Sequence, residues 1–383
     1  MSKHRLLMTL ISVLCFATTA VVADEDVPVE LSLSTMVLFA IDENPDLLMA
    51  HERQRQMEFF IEEGRSGYYP QVEFSAEGGR EYLETSDPRS NNSGSTALTL
   101  NQKIFAGYAL NSEVARRRDL KKSADIDVDI ETERLIREVV GFYLDILRDQ
   151  NELASTRLFV VEVDKIVGTI SEMFAAGAVG KAMLDYARSR QASAYVDLNE
   201  VEASLSEGIR SLEFLTGPLP EFKAVVPDQF HPNNIDQSLY IARASIENAL
   251  MQRNKVEIDA MQNQLRVERG AYYPDIEFRM RAEQTHNDGG NVGRDRSLES
   301  TVNLTYNVFD GFNTKNRIGR VTGQIKELEH RDDKIFKELS RDINRNYNQT
   351  VSLQNSIQVT NNCLLYTSPS PRDQRGSRMP SSA

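Results

Sequence analysis

The sequence predicts an α+β membrane protein of two tandem repeats, in which long antiparallel helices alternate with pairs of short amphipathic strands. Three observations support this fold class. Apolar residues keep a heptad spacing from Leu135 to Phe174 without a proline, which is typical of a helix packed against other helices. The motif at Tyr68 returns at Tyr272, an offset of 272 − 68 = 204 residues. Polar and apolar residues alternate after each copy of this motif, as they do in strands with one buried face.

The N-terminus has the three parts of a secretory signal peptide, which we assign to residues 1–23. Lys3 and Arg5 form the positive region, an apolar stretch runs from Leu6 to Val22, and small residues then offer a cleavage site. A retained membrane anchor is the alternative. The residues before Cys15 match a lipoprotein motif poorly, so no N-terminal lipid anchor is expected. We therefore expect the chain to be exported.

Charge and cysteine content argue against two kinds of protein. The 383 residues carry a formal net charge of −13, whereas a nucleic-acid-binding protein needs a basic surface. Cys15 lies in the signal and Cys363 is the other cysteine, so the exported chain has no cysteine pair and depends on packing alone. No apolar run of about 18 residues follows the signal. If the chain crosses a membrane, it does so with strands.

The first repeat, residues 31–217, opens with a helix predicted at residues 33–64. The proline after Asn44 removes a helical hydrogen bond, so we expect a bend or a break there. A Tyr-Tyr-Pro motif, which contains Tyr68 and Tyr69, ends the helix, because the residue before a proline favours an extended conformation. These tyrosines either anchor the chain at a membrane interface or pack the junction.

Two strands follow in each repeat, and each has one apolar and one polar face. This pattern fits a transmembrane β-barrel, although a hairpin of a soluble sandwich also alternates. The export signal and the junction tyrosines favour the membrane. Two strand pairs cannot close a barrel, so identical chains must combine theirs. The apolar positions are Val72, Phe74, Ala76, Leu98, Leu100 and Ile104, then Ile276, Phe278, Met280, Val302, Leu304, Tyr306 and Val308.

A long helical hairpin completes the first repeat. Its first helix is predicted from Tyr108 to Phe174 and would extend roughly 100 Å at ~1.5 Å per residue. Gly177 and Gly180 break the helix, and the return helix is predicted from Met183 to Leu215. Such a long hairpin is typical of a strut or of the wall of a tube.

The apolar seam of this hairpin has two polar positions, Asp149 and Thr156. They either set the register of packing or face a water-filled tunnel. The apolar members are Leu135, Val139, Phe142, Ile146, Leu153, Val160, Val163, Val167, Ile170 and Phe174.

A proline-punctuated linker, residues 218–234, leads to the second repeat, residues 235–362. This repeat opens with a helix predicted at residues 235–268 and repeats the Phe-x-Gly of the first, because Phe105 is answered by Phe309 and 309 − 105 is again 204. The equivalent return helix is missing, so we interpret the second repeat as incomplete. Residues 363–383 are rich in Ser, Pro and Arg and are interpreted as a non-native tail, with a genuine disordered tail as the alternative.

No catalytic, cofactor-binding or metal site can be identified in the sequence. His51, His231, His286 and His330 are scattered without metal-ligand spacing. Neither glycine pair follows a strand into a helix, as a phosphate-binding loop requires, and no nucleophile stands with a base. We therefore predict that the protein is not an enzyme and carries no cofactor.

The order of helix, Tyr-Tyr-Pro, strand, loop, strand, Phe-x-Gly and long helical hairpin, begun twice, resembles the TolC-like outer membrane efflux protein family over residues 31–362. The resemblance implies a homotrimer, with an outer-membrane β-barrel continuous with a periplasmic α-helical coiled-coil barrel. It also implies an exit duct for solutes or proteins. Its partners would be outer-membrane lipid, a periplasmic adaptor and an inner-membrane ABC or proton-driven transporter. The missing lipoprotein motif favours type I secretion or general efflux.

The resemblance also places the adaptor-contacting turn of the family at Gly177, Val179 and Gly180. The family often has Ser or Thr and then Asp after the turn glycine, whereas this chain has Gly180, Ala182 and Met183. The expected membrane-interface aromatic residues are Tyr68, Tyr69, Tyr272 and Tyr273.

Two other functions compete with the duct. A periplasmic adaptor, or membrane fusion protein, also has a coiled-coil hairpin, but it would carry one hairpin and no duplicated strand pairs. An exported coiled-coil structural protein would not need alternating strands at a matching offset. The duplication therefore favours the duct.

Overall fold

The computed structural model of the chain describes residues 29–83, 89–227, 237–287 and 293–367. The predicted signal peptide lies outside these residues, as do most of the tail and parts of the strand loops. The elements, in chain order, are β1 (Val29–Leu31), α1 (Leu33–Glu43), α2 (Pro45–Arg65), β2 (Gln71–Leu83), β3 (Arg89–Ala106), α3 (Ala109–Ala175), α4 (Lys181–Thr216), β4 (Phe222–Ala224), α5 (Gln237–Glu247), α6 (Ala249–Gly270), β5 (Asp275–His286), β6 (Arg294–Thr305) and α7 (Asn313–Thr367). The chain divides into two compact units.

The first unit contains residues 29–43 and 137–227 of the described chain. Helix α1 packs on α4, and Met36 of α1 and Leu212 of α4 are both fully buried. Strands β1 and β4 pair in parallel, and the buried Tyr143 of α3 fastens them: its hydroxyl donates to the Leu31 carbonyl (2.9 Å) and accepts from the Val225 N–H (2.7 Å). The small β4 lies inside the predicted linker and was not anticipated from the sequence.

The second unit contains the described residues of 44–136 and 231–383. Helices α6 and α7 pack together, and the buried Asn254 on α6 donates to the Leu328 carbonyl on α7 at 3.0 Å. Glu257 and Arg331 join the same two helices at 3.0 Å. The core of this helix pair includes Ala260 and Val321, both fully buried.

Asparagine, rather than proline alone, marks the helix breaks. Asn44 caps α2, because its side-chain oxygen accepts from the N–H groups of Asp46 (3.0 Å) and Leu47 (3.2 Å). The predicted break at this position is confirmed. The continuous helix predicted at residues 235–268 is wrong, because Asn248 caps α6 by accepting from the Met251 N–H at 3.2 Å. Asn248 is the counterpart of Asn44, since 248 − 44 = 204.

The four longer strands form one antiparallel sheet in the order β2-β3-β5-β6. The two hairpins meet at β3 and β5, where Leu98 stands opposite Ala282 and Leu100 opposite Met280. The sheet therefore joins both repeats, and β2 and β6 are its outer strands. Strand β6 ends at Thr305. The sequence predicted a strand that runs through Val308, and this extent is wrong.

Candidate functional site

The seam between α3 and α4 is buried as the heptad predicts. Val160 and Val163 of α3 form a buried cluster with Ala194 of α4, and Val167 and Leu198 pack against it. Every predicted seam position is buried or half-buried except Phe174 at the tip of the hairpin. The hairpin is thus held by apolar side chains along its length, in the manner of a coiled coil.

Asp149 lies inside this seam rather than on an open wall. Its side chain is buried and accepts hydrogen bonds from the Ser204 hydroxyl of α4 (2.7 Å) and from Nε of Arg148 (3.0 Å). A buried polar group that finds its partner in only one alignment specifies that alignment. The geometry therefore favours the register-setting interpretation for Asp149.

Side-chain hydrogen bonds join α3 and α4 in the stretch between Asp149 and the tip of the hairpin. The Tyr195 hydroxyl and the Gln191 amide of α4 both donate to the Asp164 carboxylate of α3, at 3.0 and 2.8 Å. Because the hydrogen bond and the nearby negative charge favour the protonated phenol, the pKa of Tyr195 lies above its ordinary value. The Tyr195 phenol therefore keeps the proton that it donates to Asp164 at neutral pH.

The hairpin tip is a tight turn closed by backbone hydrogen bonds. The Ala178 N–H donates to the Met173 carbonyl (2.8 Å), and the Gly177 N–H donates to the Phe174 carbonyl (2.9 Å). This is the Schellman arrangement at a helix C-terminus, with Gly177 in the left-handed position at φ 73°. Gly180 precedes α4 with an extended backbone, and its cap lacks a side-chain hydrogen bond.

The three residues predicted at the tip therefore lie in one turn. Val179 is half-buried, whereas Gly177 and Gly180 are exposed. Several large apolar side chains around them remain exposed in the single chain: Met173, Phe174, Met183 and Tyr186. The turn presents backbone and apolar surface to a neighbour, with the exposed Lys181 directly after it.

The four predicted interface tyrosines lie where helices meet strands, and all four are exposed. Tyr68 and Tyr69 stand between α2 and β2, and Tyr272 and Tyr273 stand between α6 and β5. The Tyr68 hydroxyl donates to the Asn111 side chain at 2.6 Å. An exposed ring with a satisfied hydroxyl is compatible with a membrane interface and with junction packing.

A second aromatic motif at the strand-to-helix junctions escaped the sequence analysis. Gly107 and Tyr108 both have positive φ, at 57° and 62°, and so do Gly311 and Phe312, both at 65°. The ring of Tyr108 meets Phe105 edge to face at 5.3 Å, and the equivalent rings of the second repeat meet at 5.5 Å. A non-glycine residue at positive φ is uncommon. The constant offset is the signal that could have drawn attention to this motif.

In the first repeat this junction is closely packed against the second. A Cβ atom added to Gly107 would lie 2.2 Å from the Gly270 carbonyl oxygen, far inside contact distance. The ring of Tyr108 also meets Tyr273 at 6.2 Å. Gly107 is therefore required both for its backbone conformation and for the approach of another backbone.

The sheet has one apolar and one polar face. One row across the four strands is Phe74, Leu98, Ala282 and Leu298, and its three larger side chains are exposed by 51–70%. The adjacent row on the other face is Glu73, Thr99, Arg281 and Glu299. Arg281 donates to Glu283 at 2.8 Å on this polar face. Exposed apolar rows of this size indicate a surface that something apolar must cover.

Neither a metal site nor a helical membrane span is found in the described part of the chain. Its His, Cys, Asp and Glu side chains form no group of three or more that could hold a metal ion. None of its helices combines the length and apolar character needed to cross a membrane.

Comparisons with known proteins agree with these features. The sequence profile of a family described as outer membrane efflux protein matches residues 39–218 and 240–365. The fold is similar to the CmeC outer membrane channel of Campylobacter jejuni (16% identity, 89% of this chain and 78% of that chain, TM-score 0.71). It is also similar to the outer membrane protein VceC of Vibrio cholerae (14% identity, 86% of this chain and 81% of that chain, TM-score 0.70). The open state of the MtrE outer membrane channel of Neisseria gonorrhoeae is a further relative in fold (15% identity, 84% of this chain and 74% of that chain, TM-score 0.65).

No curated protein sequence matches the chain significantly. At these identities the solved structures establish the fold, and the family profile establishes the kind of protein.

Proposed function

Because this chain belongs to the outer membrane efflux protein family, whose members are efflux ducts of the outer membrane, we propose that three copies assemble into one duct. The four-stranded sheets close one β-barrel in the outer membrane, and the helical hairpins form a coiled-coil barrel in the periplasm that continues it. Solute enters from an inner-membrane transporter through a periplasmic adaptor, passes along the helical tunnel and leaves through the barrel.

The observation that carries this proposal is the sheet with two outer strands and an exposed apolar face. Its strands have 12 to 18 residues, and a barrel strand needs about 9–11 residues to cross the hydrocarbon layer. An isolated sheet of this kind would expose both its edges and its apolar face to water. A closed barrel in lipid leaves no strand edge unpaired and covers the apolar face with lipid.

The hairpin gives a second line of support. Large apolar residues of α3 and α4 that face away from the mutual seam stay exposed in the single chain, such as Leu158, Phe159, Ile166, Val196 and Phe214. Covering them requires neighbouring helices of the same kind. Neighbouring hairpins in a ring would supply such helices, and shifts between two packings of those hairpins would open or close the tunnel sterically.

Within this proposal, Gly177, Val179 and Gly180 form the contact with the adaptor. The tip offers exposed apolar side chains and a rigid glycine turn, which suits docking against the apolar tips of another helical hairpin. Tyr68, Tyr69, Tyr272 and Tyr273 lie at the periplasmic interface of the membrane, where amphipathic rings are favoured. The partners are therefore outer-membrane lipid, an adaptor and an ABC or proton-driven transporter.

The polar face of the sheet would line the exit of the duct. It carries more carboxylates than bases, with Glu73, Glu77, Glu277, Glu283 and Glu299 against Lys103, Arg279 and Arg281. A lumen of this charge raises the local concentration of cations relative to anions. The proposed cargo is small solutes or proteins.

The assembly can be tested by expressing the full chain and extracting the outer-membrane fraction in detergent. We expect a band of three chains on an unheated gel that becomes a single-chain band after heating. Phe74→Lys places a charge on the apolar face and should remove the protein from the outer membrane, since such a charge costs about 2–4 kcal/mol near the middle of the bilayer. The neighbouring Glu73→Lys, on the opposite face, should still insert.

A water-soluble periplasmic monomer, or equal insertion of both variants, would refute the proposed duct. The adaptor alternative is not favoured, because the family profile and the solved relatives are those of the outer-membrane channel.

A further inference from the structure

A cavity of about 280 Å³ lies in the second compact unit, where the polar face of the sheet meets the ends of the helices. A site for a drug-sized ligand encloses about 300–1,000 Å³, so this cavity suits a smaller molecule. Residues of β3 and β5 line one side, and residues of α3 and α6 line the other. The lining includes Asn101, Lys103 and Glu277 on the sheet and Leu110, Glu113 and Val267 on the helices.

Lys103 brings an unpaired positive charge to this cavity. It stands opposite Glu277 where β3 pairs with β5. Opposite charges at such positions attract each other, yet within the described part of the chain Lys103 forms no ion pair at 4.0 Å or less. The ladder is irregular directly after it, between Lys103 and Phe105, and an irregularity of this kind turns the neighbouring side chains in a new direction. The ammonium group is therefore available to a ligand.

Glu277 brings a negative charge to the same cavity. Its ion pair with Arg279 is long, at 3.8 Å, and its side chain is 30% exposed. Arg279 is engaged elsewhere, because its Nε donates to the Asn101 side chain at 3.1 Å. No group in the described residues donates a hydrogen bond to the Glu277 carboxylate. Its oxygens are therefore free to accept from a ligand.

The third charged residue of the lining, Glu113, is already neutralised. Its carboxylate accepts hydrogen bonds from Arg116 and from Arg117, each at 2.7 Å. The charges left for a ligand are therefore one ammonium group, on Lys103, and one carboxylate, on Glu277. A ligand with a single charge would be repelled by one of these two groups, whereas a zwitterion pairs with both.

The helical side of the cavity carries an apolar wall. Leu110 of α3 packs closely on Gly67, where an added Cβ would lie 2.8 Å from the Leu110 Cδ1 atom. Leu110 and Val267 of α6 are both half-buried, so part of each side chain still faces the cavity or solvent. An aliphatic group placed against them would remove this apolar surface from water.

We propose that this cavity binds a small zwitterion with an aliphatic group, of the size and chemistry of an α-amino acid such as leucine. The ligand carboxylate pairs with Lys103, and its ammonium group pairs with Glu277. Because these two residues stand opposite each other on the ladder, they suit a ligand whose two charges lie on neighbouring groups. The aliphatic group lies against Leu110 and Val267. The inference rests on the proposed function for the place of the site on the path of a solute, whereas binding itself requires one chain only.

Saturation-transfer NMR on the full chain in detergent tests the site with three probes of matched shape. L-Leucine carries both charges, isocaproate lacks the ammonium group, and isoamylamine lacks the carboxylate. We expect the dissociation constant of L-leucine to be at least tenfold lower than that of either singly charged probe, because each charge contributes a charge-assisted hydrogen bond. Equal binding of the three probes, tighter binding of a singly charged probe, or absence of L-leucine binding would overturn the proposal.

Two variants assign the charges. Lys103→Gln should weaken L-leucine binding at least tenfold without weakening isoamylamine, and Glu277→Gln should weaken L-leucine binding to the same extent without weakening isocaproate. Lys326→Gln on α7 and Glu299→Gln on the polar face of β6 are the matched controls, because neither residue lines the cavity, and both should bind L-leucine as the unmodified chain does. Equal weakening of all three probes by Lys103→Gln and Glu277→Gln would contradict the assigned contacts.

The outcome for the site is separable from the outcome for the duct. The titration is run on the assembled protein and on the detergent-dispersed single chain, since the cavity lies within one chain. L-Leucine binding by a chain that forms no oligomer would keep the site and overturn the proposed duct. A heat-labile oligomer that does not bind L-leucine would overturn the site and keep the duct.

Discussion

Gly177 and Gly180 lie three residues apart in the hairpin turn, but their backbones differ. Gly177 has φ 73°, in the left-handed region, whereas Gly180 has φ −80° and ψ 160°, which any residue can adopt. A Cβ atom added at either position would meet open space. The difference between the two glycines is therefore one of backbone strain alone, which makes them a matched pair.

We predict that Gly177→Ala strains the Schellman turn by about 1 kcal/mol, because a Cβ is unfavourable at positive φ. Amide exchange at Ala178, whose N–H closes the turn, should become about fivefold faster at this cost. Gly180→Ala should leave the exchange rate unchanged. Hydrogen exchange of tip peptides, measured by mass spectrometry on the full chain, checks both variants. Equal rates in the two variants would mean that the turn does not depend on the left-handed glycine.

At the scale of the elements, the first turns of α3 are fastened to α2 by one arginine. Arg117 donates to the Phe60 carbonyl at 2.6 Å and lies over the Phe60 ring at 4.0 Å. Glu113 holds that guanidinium by accepting from its Nε at 2.7 Å, and it also accepts from Arg116 at 2.7 Å. Glu113 thus orients the contact between the two helices from α3, and Glu63 of α2 forms a longer ion pair with the same guanidinium at 3.4 Å.

We predict that this fastening weakens in acid. The hydrogen bond from Arg116 lowers the pKa of Glu113 below its ordinary value of 4.5; burial opposes this effect, and the bond from Arg117 adds to it. A lowered pKa means that the stabilisation is complete above the ordinary value and is lost as the pH falls through the lowered pKa. Glu113→Gln should therefore cost about 1 kcal/mol in the free energy of unfolding at pH 7 and progressively less below pH 4.

Urea unfolding of the full chain followed by helical circular dichroism, at pH 7 and at pH 3, measures this difference. Glu52→Gln is the control, because Glu52 and Arg55 form an exposed pair at 3.7 Å on α2 and should contribute little at either pH. A loss for Glu113→Gln that persists undiminished at pH 3 would contradict the assigned role of the carboxylate.

The sequence predicted the elements best where an apolar pattern repeats many times. The hairpin of α3 and α4 was located to within a few residues, because a heptad seam repeats the same signal many times. Features that depend on one residue were harder to predict. The break at Asn248 has no proline to announce it. The left-handed Tyr108 follows Gly107, whose close approach to the backbone of Gly270 exists only in the folded chain.

Local sequence patterns also did not predict which distant segments pair with each other. Strands β1 and β4 have three residues each, too few for their alternation to stand out in the sequence, and the Tyr143 hydroxyl that bonds to both segments comes from a distant helix. The three tip residues lie in one turn, and the four tyrosines lie at the helix–strand junctions. Their contacts with an adaptor and with lipid involve other molecules and stay predictions.

At the scale of the whole molecule, the duplicated sequence supplies the surfaces for two contacts of the β3–β5 kind, and the single chain makes one of them. The contact between β3 and β5 joins the second strand of the first repeat to the first strand of the second, and the described part of the chain contains it once. The matching surfaces are the second strand of the second repeat, β6, and the first strand of the first repeat, β2, which are the outer strands of the sheet. Surfaces related in this head-to-tail manner build a ring when the rotation between copies closes.

Gly311 tests this head-to-tail contact at a single residue. Asparagine tolerates positive φ better than other non-glycine residues, so Gly311→Asn keeps the backbone at φ 65° and mainly adds a side chain. In the single chain the added Cβ meets nothing within 4 Å. In the assembly it would occupy the place of a Cβ on Gly107 and collide with the backbone of a second copy at Ser66, the counterpart of Gly270.

Gly311→Asn should therefore leave the helical content of the single chain unchanged and weaken each contact between copies by about 1–3 kcal/mol. We expect the yield of heat-labile oligomer to fall at least tenfold on an unheated gel. Gly177→Asn adds the same side chain at positive φ in open space away from the junction, and its oligomer yield should match that of the unmodified chain. Gly107→Asn should instead damage the single chain, because its collision with Gly270 lies within one molecule. If Gly311→Asn assembled as well as Gly177→Asn, Gly311 could not lie where the repeat places it.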